Sequence, residues 1–346
     1  MKAAVYLAPE NMVVKEVEEP KCGPGEVKLK VGACAICGTD VRIYFFGQKN
    51  VKPPAIVGHE IAGTIVEIGK GVEGLKVGQK ACVITPVGCG RCRYCRAGKH
   101  NLCVDFRAIG YDFPGGFAQY ITLNSIAVTQ GNVLPIPDGV PFDEAALVEP
   151  LSCAINGQTY LNIGIGDSVV IIGAGPIGCM HLELAKSQGA TKTIMVDVAP
   201  AKLDLVRSRF EADLFIDSSR EDPVKRVMDE TGGGGADVVI VACSAHVAQQ
   251  QAVAMAAKLG RVSFFAGLPK DKPTIEFDSN ALHYREISLF GAYASHATEY
   301  MSALALVASR KVDARKLISH RVPLEGLAEA IRTVRAGNSL KIVVEP

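Results

Sequence analysis

A chain of 346 residues with 48% hydrophobic and 21% charged side chains is too long for one typical core and too apolar to stay disordered. Its net charge of +1 excludes an electrostatic grip on nucleic acid or on an anionic membrane surface, and no apolar run is long enough to span a bilayer. Two domains are expected, one interrupted by the other.

At the N-terminus, "MKAAVYLAPENM" is broken by Pro9 and Glu10 before a signal-peptide core could form, which places the chain in the cytoplasm. Up to about residue 150, short apolar runs such as "EVKLKVGACAI", "HEIAGTIVEIG" and "KACVI" are separated by glycine and proline, a texture that predicts hairpins and a partly open barrel. Within it, "CAICGTDVRIY" supplies Cys37, "VGHEIAG" supplies His59 and Glu60, and "LVEPLSC" supplies Glu149. Thiolate, imidazole and carboxylate in scattered turns suit an open zinc site, because about three protein ligands leave a position for water or substrate. His59 and Glu60 would point apart in a regular strand, so both reach one ion only from irregular backbone.

The segment "CGRCRYCRAGKHNLC" places Cys89, Cys92, Cys95 and Cys103 in C-x2-C-x2-C-x7-C spacing. Four thiolates close a tetrahedral site and leave the ion no position for chemistry, so this metal is read as structural. The long last gap and the missing trailing proline argue against an iron–sulfur run. Cys22, Cys34, Cys82, Cys153, Cys179 and Cys243 have no metal-like spacing and read as packing, since a reducing compartment does not sustain a disulfide framework.

From about Asp167, strand-like runs ("SVVIIG", "TIMVDV", "ADVVIVACS", "RVSFFAG", "ISLFGAY") alternate with helix-like ones ("PIGCMHLELAKSQG", "PAKLDLVRSR", "EDPVKRVMDE", "VAQQQAVAMAAKLG"), which predicts βαβ units and a mostly parallel sheet. Gly173, Gly175 and Gly178 have G-x-G-x-x-G spacing directly after a strand and open a helix, where backbone N–H groups and the helix dipole receive a pyrophosphate. Asp197 ends the next strand, where an acid receives ribose hydroxyls. It would repel a 2′-phosphate, so NAD is expected over NADP, with Lys202 as a second ribose contact. The tail carries two helical patterns and a closing strand, "LKIVVEP", placed to rejoin the first domain.

Taken in order, "CGTD", "GHE", the four-cysteine lobe, "EPL" and "GAGPIG" resemble the zinc-dependent medium-chain dehydrogenase/reductase superfamily across essentially the whole chain. Glu149 in "EPL" is similar to the sorbitol (polyol) and L-threonine dehydrogenase branch. The resemblance implies an α/β protein: a GroES-like β-barrel catalytic domain from 1–152 and 292–346, with a structural-zinc lobe at 88–104, around a Rossmann NAD-binding domain at 153–291, a doubly wound parallel sheet. The active site would lie in the cleft between the two. Two zinc ions per subunit are implied, one structural and one catalytic, the latter on Cys37 and His59, with Glu60 a ligand or near neighbour of the ion and Glu149 a fourth ligand or the partner of a zinc-bound water.

The resemblance also makes Asp40 the carboxylate that orients the ligand histidine, with Lys341 as its counter-charge, and Thr39 a proton relay. Gly173, Gly175, Ile177, Gly178, Asp197, Lys202, Leu268 and Tyr293 become cofactor contacts. Some relatives place a relay histidine where this chain has Arg42, which stays charged and cannot act as a base. Sorbitol dehydrogenases tend to carry arginine where this chain has Ala292, so a polyol contact is missing. His296 is a candidate pocket base, set against an ordinary helix-entry histidine. The expected activity is hydride transfer from a secondary alcohol, a polyol or sugar alcohol with or without phosphate, to NAD, giving a ketone. L-threonine 3-dehydrogenase-like chemistry, simple secondary alcohols and a non-catalytic nucleotide-binding relative are the alternatives. A homo-oligomer, dimer or tetramer, is expected.

Overall fold

The run Val27–Ala35 is buried along most of its length, with Lys30 exposed, because it lies inside a seven-stranded sheet of the computed structural model, which describes residues 1–346. It belongs to the first of two compact units, Met1–Ser152 with Ala294–Pro346; the second is Cys153–Tyr293. On one flank Glu60–Ile68 pairs antiparallel, from Val27 opposite Ile68 to Ala35 opposite Glu60. On the other the terminal strand Lys341–Glu345 pairs antiparallel, with Val343 opposite Ala35. The C-terminal end of the central strand and the start of Glu60–Ile68 therefore meet at one edge of the sheet. Leu29, Val31, Ile61, Ile65, Phe117, Ile121, Ile342 and Val344 fill the core behind that edge.

Among the helices in the region read as β-rich, the two longest are Gly38–Phe46 and, at its end, Val148–Gln158. "VRIYFF" favours a strand by composition, but tertiary packing overrides it. Asp40 closes a capping box at the helix start, Ile43 and Tyr44 are buried, and the tail helix Leu327–Ala336 grips the exposed side. There Arg332 Nη2 donates to Tyr44 Oη at 2.9 Å, and Arg335 lies 3.9 Å from the ring centre of Phe45.

The second unit carries six parallel strands, in sheet order Leu214–Asp217, Lys192–Asp197, Ser168–Ile172, Ala236–Val241, Ala256–Phe264 and Ser288–Gly291. Numbered within the unit, this is the order 3-2-1-4-5-6 of a doubly wound dinucleotide fold, whose crevice opens where the order reverses. Pro176–Gln188 follows the first strand with proline in its first turn and Gly189 left-handed at its end, φ 101°. Asp222 caps Pro223–Glu230 by accepting from Val224 N. The run read as one helix through "AAKLG" stops at Met255, and a strand starts at Ala256. Ala236 pairs with Ala256 and Val238 with Arg261, so the intervening residues bulge, with Leu259 at φ 61°. No helix of the chain is long and apolar enough to cross a membrane.

Candidate metal and nucleotide sites

Gly58 sets up the cluster of Cys37, His59 and Glu60. Its φ of 95° is a left-handed conformation, and a Cβ there would meet Phe117 and the Cys34 Sγ at 2.8 and 2.9 Å. The chain consequently enters the strand Glu60–Ile68 from irregular backbone, and His59 and Glu60 turn toward the same place. Cys37 arrives two residues past the end of the central strand, as the N-cap of Gly38–Phe46 rather than in a free turn. One donor atom each from Cys37, His59 and Glu60 lies within 4.8 Å of the others.

Asp40 is fully buried; one oxygen accepts from Cys37 N at 2.8 Å and the other lies 3.7 Å from His59 Nδ1. It thus fixes the cysteine's backbone while facing the histidine ring. Lys341 is not its counter-charge: Nζ pairs with Glu60 and donates to Ile36 O at 3.1 Å. The physical reason is register, because the terminal strand brings Lys341 to Glu60 across the end of the central strand. Burial pushes the Glu60 carboxyl above its ordinary value, opposed by Lys341 and assisted by Glu149. Glu149 itself is buried in the first turn of Val148–Gln158 and lies outside the tight donor trio.

The trio fits a divalent metal. Glu60 Oε2, His59 Nδ1 and Asp40 Oδ1 are buried without a hydrogen-bond partner, a costly state that a cation at the donors would relieve. Thiolate, imidazole and carboxylate are zinc donors.

The four-cysteine lobe fits equally. All four Sγ atoms lie within 4.8 Å of one another, Cys92 standing 3.5 Å from Cys95 and 3.9 Å from Cys103. A zinc–sulfur bond of about 2.3 Å in a tetrahedron gives an S···S edge of about 3.8 Å. Backbone N–H groups supply the charge compensation: Cys89 N donates to Cys103 Sγ at 3.1 Å and Asp105 N to the same sulfur at 3.3 Å. N–H groups of Cys95 and Val104 bring the Cys92 thiol down to about 6.

At the nucleotide turn Gly173 has φ 112°, and a Cβ on Gly178 would stand 1.9 Å from Gly173 O, so neither position admits a side chain. Gly175 is the N-cap of Pro176–Gln188 and has open space in front of it, with Ile177 half-buried one residue into the helix. Asp197 Oδ2 accepts from Ala174 N at 2.7 Å and Oδ1 from Ala199 N at 2.9 Å, which ties the acid to the glycine turn.

Residues 23–138 match the alcohol dehydrogenase GroES-like domain and residues 176–309 the zinc-binding dehydrogenase domain. L-threonine 3-dehydrogenase of Pyrococcus horikoshii is 37% identical over 333 residues, 95% of this chain and 93% of that protein. The chain belongs to the zinc-dependent medium-chain dehydrogenase family. Sorbitol dehydrogenase of Halalkalibacterium halodurans is 32% identical over 97% of this chain and 96% of its own. A solved zinc-binding dehydrogenase of Sinorhizobium meliloti, bound to NADP, has a TM-score of 0.92 and 31% identity, covering 100% of this chain and 99% of that one. This medium-chain dehydrogenase is accordingly a zinc-containing oxidoreductase.

Its remaining sequence-predicted residues are placed as follows. Thr39 is half-buried in the first turn after Cys37. Lys202 is half-buried on Pro200–Arg207, Leu268 is half-buried in the loop after Ala256–Phe264, and Tyr293 is 58% exposed after the last strand of the second unit. Arg42 is exposed and donates to Gln48 Oε1 at 3.2 Å. His296 is the buried N-cap of Ala297–Ala308, 2.6 Å from Lys99 Nζ on one side and 2.6 Å from Glu299 on the other. Burial and the nearby Lys99 bring it down to about 4.

Sequence reasoning missed Tyr111 in this dehydrogenase. Its hydroxyl lies 3.3 Å from His59 Nε2, the rings 4.9 Å apart, and burial pushes the phenol well above its ordinary value. "GYD" carries no spacing signal; only the fold brings it to the metal centre.

Proposed function

We propose that the protein oxidises a small polar secondary alcohol, a polyol or sugar alcohol with or without phosphate, to the ketone, with NAD as hydride acceptor. The convergence of Cys37, His59 and Glu60, backed by Asp40 and Lys341, supports this reading. Those three residues hold the catalytic zinc, with Glu149 as fourth ligand or partner of its water, and Cys89, Cys92, Cys95 and Cys103 hold the structural one. When bound, zinc supplies a Lewis acid for the developing alkoxide charge and NAD supplies the hydride acceptor. Residues 1–152 and 292–346 form the catalytic domain and 153–291 the NAD domain.

The protein's own groups position and handle protons. Asp40 keeps Cys37 and His59 in place, and Lys341 keeps the Glu60 carboxylate ionised against its burial. Tyr111, its phenol pushed up by burial, stands as a neutral hydroxyl beside His59. Thr39 relays the alcohol proton, and Glu149 accepts it where relatives use the histidine replaced here by Arg42. Gly173, Gly175 and Gly178 let the backbone approach the pyrophosphate, Asp197 and Lys202 take the ribose, and Ile177, Leu268 and Tyr293 line the cofactor. The Asp197 carboxylate disfavours a 2′-phosphate and so selects NAD.

A cavity of about 490 Å³ bounded by Tyr111 carries Asn50, Lys52, Arg107 and Asp112 beside Ile56 and Phe113. Cys37, His59, Glu60 and Glu149 do not line it, Tyr111 is what it shares with the centre, and Lys52 and Arg107 suit a substrate with an anionic group. The 37% identity to an L-threonine 3-dehydrogenase favours a second reading, a 3-hydroxy amino acid whose carboxylate faces Lys52 and Arg107. The decisive experiment screens polyols, polyol phosphates, L-threonine and simple secondary alcohols for NADH formation by the protein loaded with two zinc ions, with Cys37→Ser as control. Turnover of none of them with either NAD or NADP, or full activity in Cys37→Ser, would sink the proposal. A cytoplasmic homo-oligomer, dimer or tetramer, is part of it; sedimentation as a monomer would remove that element.

A further inference from the structure

The first turn of the helix Ala297–Ala308 is hydrogen-bonded toward both candidate metal clusters, through Lys99 on one side and through Thr85 on the other. Lys99 lies between Cys95 and Cys103, so its position depends on how those two thiols are held. Its ammonium donates to His296 Nε2 at 2.6 Å. Nδ1 of the ring lies 2.6 Å from Glu299 Oε2 without the alignment of a hydrogen bond, and the same carboxylate oxygen accepts from His296 N at 3.1 Å. A cation at a helix N-terminus opposes the helix dipole, and Glu299 in the first turn offsets it. The Lys99–His296 contact and the Glu299 bond to the helix start are polar and mostly buried.

Tyr300 stands four residues after His296, one turn along the same face. It is fully buried, and its hydroxyl accepts from Thr85 N at 3.1 Å. Thr85 Oγ1 in turn donates to the backbone oxygen of His59 at 2.9 Å. On the other side of the helix start, Ser295 Oγ lies 2.6 Å from Ser152 Oγ, which donates to Glu149 O at 2.6 Å. One stiff helical turn is thus bonded to the cysteine lobe, to the peptide of His59 and to that of Glu149.

We propose that this turn couples occupancy of the four-cysteine lobe to the geometry of the Cys37–His59–Glu60 centre, with Lys99 and His296 as positioning residues. The proposal rests on the reading of both clusters as metal sites. Emptying the lobe frees Lys99, the helix start loses its outer anchor, and Tyr300 and Ser295 carry the shift to the backbones of His59 and Glu149. Lobe metal then does more than hold a loop: it sets how tightly the other ion is kept.

The test uses the full chain loaded with two Co²⁺ ions. Four-thiolate cobalt and one-thiolate cobalt differ several-fold in charge-transfer absorption, so the two sites are followed separately while dipicolinate strips the metal. Lys99→Met and His296→Asn, the latter retaining a good N-cap, are expected to speed cobalt loss from the Cys37 centre about fivefold, the worth of one net hydrogen bond, with the lobe band unchanged. Lys99→Arg should restore the slow rate. Tyr300→Phe should reproduce the effect, and Lys99→Met with Tyr300→Phe should add little beyond either alone, as expected of one pathway. Wild-type release rates in both Lys99→Met and His296→Asn with the lobe filled would overturn the coupling. So would loosening of both sites together with a lower thermal midpoint, which marks general destabilisation. A wild-type chain that fills only the four-thiolate band would instead overturn the metal reading of the Cys37 centre.

Discussion

Lys341→Met isolates the counter-charge of the metal centre. Lys341 is 4% exposed and Glu60 fully buried, so removing the ammonium leaves a carboxylate with neither water nor partner. Breaking such a pair from one side costs about 3–5 kcal/mol, which in a domain of this size lowers the thermal midpoint by about 10 °C. The sign with pH follows from Glu60, whose folded value lies above its ordinary 4.5 because of burial. A carboxyl raised on folding is most favourable to the fold below its unfolded value, and stability falls as pH rises toward the folded one. Without the opposing Lys341 the folded value climbs further, so the deficit of Lys341→Met should be small near pH 5 and largest near pH 8. Zinc at the donors supplies positive charge and should narrow it. Circular-dichroism melts of metal-free and zinc-loaded protein at both pH values measure all four conditions. Adding Glu60→Gln to Lys341→Met should recover most of the loss, as removing both charges does. A metal-free Lys341→Met midpoint at pH 8 within about 2 °C of wild type, less than 1 kcal/mol, would refute the reasoning.

Asp197→Ala should raise the NADP-to-NAD preference at least tenfold, and it should also destabilise the second unit by about 1–3 kcal/mol, because Ala174 N and Ala199 N lose their acceptor. Steady-state kinetics with both cofactors and a denaturant melt check the two effects; an unchanged cofactor ratio would remove Asp197 from cofactor choice. Cys92→Ser should reduce zinc content from two ions to one per chain and lower thermal stability, read by metal analysis and melting. His181 is fully buried on Pro176–Gln188, accepts from Gln158 Nε2 at 3.0 Å, and burial brings it down to about 3. A histidine held neutral contributes stability that is complete above its unfolded value of about 6.5 and lost as pH falls toward the folded one, here up to ~5 kcal/mol. His181→Leu should therefore flatten the stability curve between pH 6 and pH 4; an unaltered acid limb would show that the ring does not govern it.

What could be read from the chain divides by sequence distance. The cysteine lobe and the glycine turn are local: their spacing is their geometry, and Gly178 is needed because it lies against Gly173, five residues away. Alternating strands and helices disclosed the parallel sheet for the same reason, although the helix ending at Met255 was drawn too long, since "AAKLG" is apolar enough for either state. The helix Gly38–Phe46 was not legible because it depends on Asp40 and on arginines from a helix nearly three hundred residues later. Lys341 was expected near Asp40 and lies on Glu60, a pairing set by strand register across 281 residues, which no local pattern encodes. Tyr111 was invisible for the same reason.

Charge shows why these distant residues belong to one centre. A metal-binding thiolate at Cys37 with carboxylates at Asp40 and Glu60 would bring three negative charges together, and Lys341 returns one positive charge. A net charge of about −2 in low dielectric is not sustained without a counter-ion, and the orphaned oxygens of Asp40 and Glu60 mark where it is felt. A divalent cation balances the sum; a monovalent one leaves it negative, and a fourth buried acid would tip it back. Glu149, close enough to raise Glu60, is that fourth acid. Taking up a proton there would return the metal-loaded centre from about −1 to neutrality, which favours the proposed route for the alcohol proton through Glu149 over the permanently charged Arg42.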